Sequence, residues 1–290
     1  MRHFCTSPIP RALLGLVLLG LMGSCAPTSG SSASKVHLVP GTEAQAAAPP
    51  PAQVETPSFP LPDGTPLPRL DDLGPEFRAP LPPSPVWNPP GAKRVGLQAG
   101  HWRLEETPPE LARLAEGTSV EGWDEWEVNL RLAQHTAALL EAAGIVVDVF
   151  PAAPPVRYRA HAVVAIHADG NFAEGLRGYK VARSAISSVP RADDLLVERL
   201  TEAYGAATGL PRDDATIGES MTAYYAFDPR RFQHAIDVGV PAVILEAGYL
   251  TSDEDRALLT SQPEVAARGI ADGIRAFLSL DLGPRAGGQP

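Results

Sequence analysis

Cysteine is nearly absent from this 290-residue chain, which holds only Cys5 and Cys25. Two thiols cannot build a disulfide framework or a thiolate-ligated zinc site. Positive charge is also scarce: 24 Lys and Arg face 34 Asp and Glu, for a formal net charge of −10. That balance argues against a nucleic-acid partner, whose phosphates need patches of Lys and Arg. There is no G-x-S-x-G elbow, no Walker loop and no H-E-x-x-H helix, which sets aside serine hydrolases of that type, P-loop NTPases and zincin proteases.

Proline is abundant, with 31 residues, of which 17 fall between Ala26 and Ala92. A packed domain cannot use so many residues that lack an N–H. Before this stretch, Arg2, His3 and Arg11 precede an apolar run, Ala12 to Met22. The run is too short for a bilayer span of about 20 residues and suits the core of a secretory signal. Met22-Gly23-Ser24-Cys25 resembles the lipobox of bacterial lipoproteins, with Met22 where Leu is usual. The resemblance implies a leader over 1–24 and a lipid anchor on Cys25. An ordinary signal cleaved nearby is the alternative. Residues 25–92 read as a Pro-rich tether, about 45 Å from end to end as a flexible coil and about 200 Å as a polyproline helix. They could instead wrap their own domain, with Phe77 and Trp87 as anchors.

From Arg94 the pattern changes to that of a globular domain over 93–281, followed by a disordered tail over 282–290. Val95–Ala99 reads as a buried strand, and a long loop follows from Trp102 to Asp124. A helix is expected over Glu125–Ala143, with an apolar stripe that includes Val128, Leu132 and Leu139. Ile145–Phe150, Ala162–Ile166, Gly178–Arg183 and Ala242–Leu245 read as strands. The first of these is apolar enough to be covered on both faces. Asp193–Thr208 and Pro263–Leu280 read as helices. Strands alternating with helices predict an α/β fold, a single layered domain with a mostly parallel twisted sheet and helices on both faces.

His101, His167 and Glu246 each follow one of these strands directly. In parallel sheets ligands bind at that carboxyl edge. Glu125 opens the long helix, which should return from the same edge. Two imidazoles and a carboxylate make an open zinc set with a fourth position for water, and a further acid could take that water's proton. Plainer roles compete for the other candidates. His161 reads as structural, since it lies about 20 Å from His167 along a strand. His135 reads as a half-buried helix histidine, and His234 is placed on a short helix over Arg230–Val238. Asp124 and Glu127 compete with Glu125, but neighbouring helix residues differ by about 100°, so one alone should face the metal. Trp123 and Trp126 could line a groove or pin the loop. Asp253-Glu254-Asp255 reads as a solvated helix start.

Taken together, the motifs resemble those of the zinc-dependent N-acetylmuramoyl-L-alanine amidases, the type 3 cell-wall hydrolases. The matching segments are Gly100-His101, Glu125 before Asn129-Leu130, Ile166-His167-Ala168, Glu246-Ala247-Gly248-Tyr249-Leu250 and the strand opening at Gly178. They cover about Arg94 to Leu280. The resemblance implies one Zn2+ ion held by His101, Glu125 and His167, with Glu246 as the catalytic acid/base. It implies peptidoglycan as substrate and the amide between N-acetylmuramic acid and L-alanine as the bond cut. The expected location is the bacterial cell envelope. Another zinc amide hydrolase, a peptidase or deacetylase, is the nearest alternative, and a silent wall-binding lipoprotein is a further one. Gln98 stands where the family has Asp, which implies the loss of a partner that orients an imidazole. Trp102 replaces a small residue and should narrow the mouth, and Asp169 stands where Asn is common. The segments Trp102–Asp124 and Ser184–Tyr225 flank the expected crevice and could cover it until a protein activator moves them.

Overall fold

The computed structural model describes residues 80–282, apart from Phe172 and Glu174, and these fall in one compact unit. The expected leader with Cys25, the tether up to residue 79 and the tail from residue 283 lie outside the described residues.

The strands are β1 (Arg94–Ala99), a short hairpin of β2 (Ser119–Val120) and β3 (Trp123–Asp124), β4 (Val146–Phe150), β5 (Ala162–Asp169), β6 (Lys180–Ala182) and β7 (Ala242–Tyr249). The helices are α1 (Glu125–Ala142), α2 (Pro190–Thr208), the single turn α3 (Glu219–Thr222), α4 (Asp253–Ser261) and α5 (Pro263–Leu278). Five strands form the central sheet in the order β4-β1-β5-β7-β6. Its first four members run parallel, and β6 is antiparallel to β7 at one edge. This is the mostly parallel α/β sheet that the alternation of elements predicts. Among the described residues no helix is long and apolar enough to cross a membrane.

The period of two along each strand sorts the core. Leu97, Val164, Ile166, Val243 and Leu245 face the layer formed by α1, α5 and α2. Val163, Ala165, Ala242 and Ile244 face the opposite side, where Met221 of α3, Tyr224, Phe227 and Ile236 cover them. One face is therefore backed by long helices and the other by a short helix and irregular chain.

The chain leaves β1 through α1 to β4 on one side, then crosses to β5 on the other side of β1. This reversal opens a crevice beyond the carboxyl ends of β1 and β5, the usual ligand position in such sheets.

Several local expectations change. β4 is an edge strand, and Val146 is 38% exposed, because among the described residues no further strand covers that side. His135 and Leu139 are exposed, and His135 falls beyond the border of the buried arc of α1, which runs from Val128 and Leu132 through Glu125, Thr136, Asn129, Leu140 and Ala133 to Ala137. Residues 230–238 are turns rather than a helix, held by the N–H groups of Gln233 and His234 donating to Glu110. Residues 80–92 lie along the domain. Leu81 and Ser84 donate backbone hydrogen bonds to Ile186 and Ser188, and Trp87 donates to Gly239. Trp87 also meets the ring of His161 edge-on at 5.0 Å. His161 is structural as expected: its Nδ1 accepts from Arg94 N and its Nε2 donates to Pro89 O.

Candidate metal centre

His101, Glu125 and His167 converge, with one ligand atom from each within 4.8 Å of the others. Glu125 Oε1 is 3.3 Å from His101 Nε2 and 3.0 Å from His167 Nδ1. Each arrives from a different element. His101 follows β1 in the left-handed backbone region, at φ 60°. Glu125 is the first residue of α1, where the helix dipole favours a carboxylate. His167 lies within β5, on the face away from the long helices. Asp124 instead accepts from Ser119 Oγ, and Glu127 is exposed.

The polar surroundings fix this set. Thr118 N donates to Glu125 Oε2 at 3.0 Å, and Gly117 sits where a β-carbon would meet the His101 ring at 2.9 Å. Asn129, one turn after Glu125, donates to Gly100 O and to Glu125 Oε1. Burial works to raise the pKa of Glu125. The hydrogen bonds and charges of both histidines outweigh it and hold the carboxyl well below the ordinary range. Burial likewise works against protonated His101, yet Glu125 carries its pKa above the usual value.

The donor set fits a cation. His101 Nδ1 faces Ala115 O at 2.7 Å, and a carbonyl can only accept. Neutral His101 therefore carries its proton on Nδ1 and turns a bare Nε2 toward Glu125, another acceptor. At this distance a proton on Nε2 or a bound cation joins the two acceptors, and the cluster offers both.

Glu246 stands beside this cluster. In the parallel pair of β5 and β7 it is the register partner of His167, and across the antiparallel pair it faces Lys180. Its Oε2 is buried and has no hydrogen-bond partner among the described residues. Burial, then the charges of Glu125 and Asp169, push its pKa well above the ordinary value, while Lys180 works the other way. Lys180 itself is paired with Asp169 and donates to Tyr249 and Thr216.

A cavity of about 350 Å³ joins these groups. His101, His167, Ile244 and Glu246 form its floor, and Leu104, Leu114, Ala115, Ser220, Ala223, Tyr225, Arg231 and Phe232 line its walls. Both long segments flanking the crevice thus contribute wall residues. The tryptophans do not. Trp102 and Trp123 pack against the helix-side core, and Trp123 lies under Arg131 at 5.2 Å. His234 bonds Pro154 O outside this wall.

Sequence reasoning missed the role of Tyr224. His167 Nε2 is 2.9 Å from Tyr224 Oη, which is 3.0 Å from Gln98 Oε1. Gln98 thus reaches the imidazole of His167 through the tyrosine, while His101, the imidazole of its own motif, faces Ala115 O instead. A Tyr-Tyr pair in a loop gives no periodic signal that would reveal this. Asn129 stood in a recognised motif, but its bond to Gly100 O needed the fold.

A layered α/β domain with a His-Glu-His set and a buried acid in one cleft has the build of a hydrolase whose centre can hold a metal ion. A model of the N-acetylmuramoyl-L-alanine amidase family matches residues 95–276, and the chain belongs to that family. Similar solved structures include the catalytic domain of the amidase CwlV from Bacillus (Paenibacillus) polymyxa var. colistinus, at 19% identity and TM-score 0.44, covering 65% of this chain and 99% of that one. The amidase CwlD from Clostridioides difficile, in complex with the GerS lipoprotein, has 19% identity, TM-score 0.46 and coverage of 65% and 100%. The amidase Ami1 from Mycobacterium smegmatis has 20% identity, TM-score 0.48 and coverage of 67% and 99%. No curated protein sequence matches the chain.

Proposed function

We propose that this protein is an exported, zinc-dependent amidase that cuts peptidoglycan between the lactyl group of N-acetylmuramic acid and L-alanine of the stem peptide. The observation that carries this is the His101-Glu125-His167 cluster beside Glu246 in one cavity, on a chain of the amidase family. The three clustered residues would hold the ion, leaving a position open to the cavity. Zinc there would polarise the scissile carbonyl and bring the pKa of a water to about 7.

Glu246 would take the proton of the attacking water and deliver it to the departing amine of L-alanine. The surroundings that raise its pKa suit it to hold that proton between the two transfers. The walls would exclude bulk water and orient the stem peptide. The leader over 1–24, a lipid on Cys25 and the tether would carry the domain from a membrane to the wall. A protein activator would act on the chain around Ala115, which touches His101 directly.

The test is incubation of the purified full chain with intact peptidoglycan, with and without a chelator, and mass spectrometry of the products. Stem peptides beginning with L-alanine, released only when zinc is present, are expected. Acetate release or cuts within the stem peptide would replace this reading with the deacetylase or peptidase one.

A further inference from the structure

The hydrogen-bond chain behind His167 has one consistent direction, and it starts at a backbone carbonyl. Ala152 O can only accept, so the end of the Gln98 amide facing it at 2.6 Å is the NH2 group. The other N–H of that group reaches Tyr225 Oη at 3.1 Å, and Tyr225 gives its own proton to Ala152 O at 2.6 Å. Gln98 Oε1 then faces Tyr224 and can only accept. Tyr224 supplies its one proton there, at 3.0 Å. The alternative, donation from Tyr224 to Tyr225 at 3.4 Å, is longer and would leave Gln98 Oε1 stranded. What Tyr224 Oη offers His167 is therefore a lone pair, and at 2.9 Å an N–H must meet it. Gln98, Tyr224 and His167 are all buried, so leaving any of these groups unpaired would be costly.

We propose that Gln98 and Tyr224 are positioning residues that keep a proton on His167 Nε2 and thereby turn the Nδ1 lone pair toward Glu125 and a bound metal. This rests on the metal reading of the cluster. The two ring nitrogens of a histidine divide their roles, and the partner of one sets what the other can do. His167 Nδ1 lies 3.0 Å from Glu125 Oε1, so its lone pair meets an acceptor and a cation completes the contact. The amide at 98 and the tyrosine at 224 work as a pair. A carboxylate at 98 would set oxygen against Ala152 O, whereas the amide donates there and passes its acceptor end on to Tyr224.

The test uses the full chain with 15N-labelled histidine, metal-free and zinc-loaded, together with zinc titrations. His167 is expected to carry a proton on Nε2 in both states. Tyr224→Phe keeps the ring but removes the relay; it should weaken zinc binding about tenfold or more and speed exchange of that N–H. Gln98→Met should also weaken zinc binding. The double variant should be no weaker than Tyr224→Phe, because Gln98 acts only through Tyr224; independent packing effects would instead add. A bare Nε2 on His167 in the unmutated chain would overturn the proposal without any variant. So would zinc affinity unchanged in Tyr224→Phe, or fully additive losses. Failure of the unmutated chain to take up zinc would sink the metal reading instead, and the Nε2 proton would still be read in the metal-free chain.

Discussion

Gly100 lies against the ring of His167 with no space for a β-carbon, which would come 2.3 Å from Cε1 and 2.4 Å from Nε2. The ring cannot retreat freely, because Tyr224 lies 2.9 Å from its Nε2 and Glu125 3.0 Å from its Nδ1. Gly100→Ala should therefore displace His167 and weaken zinc binding at least tenfold while the domain stays folded. Zinc titration alongside circular dichroism checks this, and normal affinity would show that the ring has room to move.

Glu246 and Glu125 should separate binding from chemistry. Glu246→Gln removes the proposed proton carrier and should lower the rate of stem-peptide release at least about 100-fold, with zinc content unchanged. Glu125→Ala should lose the metal itself. Metal analysis paired with the release assay distinguishes the two, and equal zinc content in both variants would mean that another carboxylate serves as ligand.

Asp255 contradicts its sequence context. The run Asp253-Glu254-Asp255 does begin helix α4, with Ser252 as its cap, but Asp255 is fully buried. Its Oδ2 accepts from Gly178 N at 2.6 Å and from Tyr249 N at 3.1 Å, tying the start of α4 to β7 and the turn before β6. Asp255→Ala should cost about 3 kcal/mol, since two buried N–H groups lose a charged acceptor. Asp253 is 91% exposed on its side chain, and Asp253→Ala should change stability by less than about 0.5 kcal/mol. Urea unfolding of the two variants gives the comparison, and similar midpoints would refute it.

The acid–alkaline dependence of stability should carry a mark from Asp193. Burial pushes its pKa from 3.8 to about 7, against the hydrogen bonds from Ser187 and Ala242 N that favour the charged form. The folded chain thus binds this proton more tightly than the unfolded chain. The contribution is fully present below 3.8 and is lost as pH rises through about 7. Asp193→Asn cannot ionise, so its stability relative to the unmutated chain should grow across that window and then level off. Denaturant midpoints over a pH series would reveal it, and parallel curves would rule it out.

How far the sequence disclosed this protein depends on the range of the interactions involved. Strands β1, β5 and β7 were legible because each is a short apolar run, and the polar residues at their ends stood out against it. The N-terminus of α1 was legible at Glu125 because a helical pattern begins there. His135, seven residues after the buried Val128, lies in solvent because a seven-residue repeat drifts by about 20° from the helical period, enough at the border of an arc to expose a side chain. Asp255 and Tyr224 could not be read, since their partners lie in segments far along the chain. Gln98 stands in a legible motif, but a substitution there says nothing of a tyrosine 126 residues away.

The unequal faces of the sheet divide the labour of the site. His167 and Glu246 stand on strands, His101 in the turn after β1 and Glu125 at a helix end, braced from behind by three long helices. The walls come from irregular chain near residues 104–115 and 220–232, where Met221, Tyr224 and Phe227 belong to the core and Leu104, Leu114, Ser220 and Ala223 face the cavity. Exchanges at Leu104, Leu114, Ser220 and Ala223 can therefore retune which wall fragment is accepted while sparing the contacts of Ala115 and Tyr224 to the histidines, so selectivity and reactivity in this fold are free to diversify at different rates.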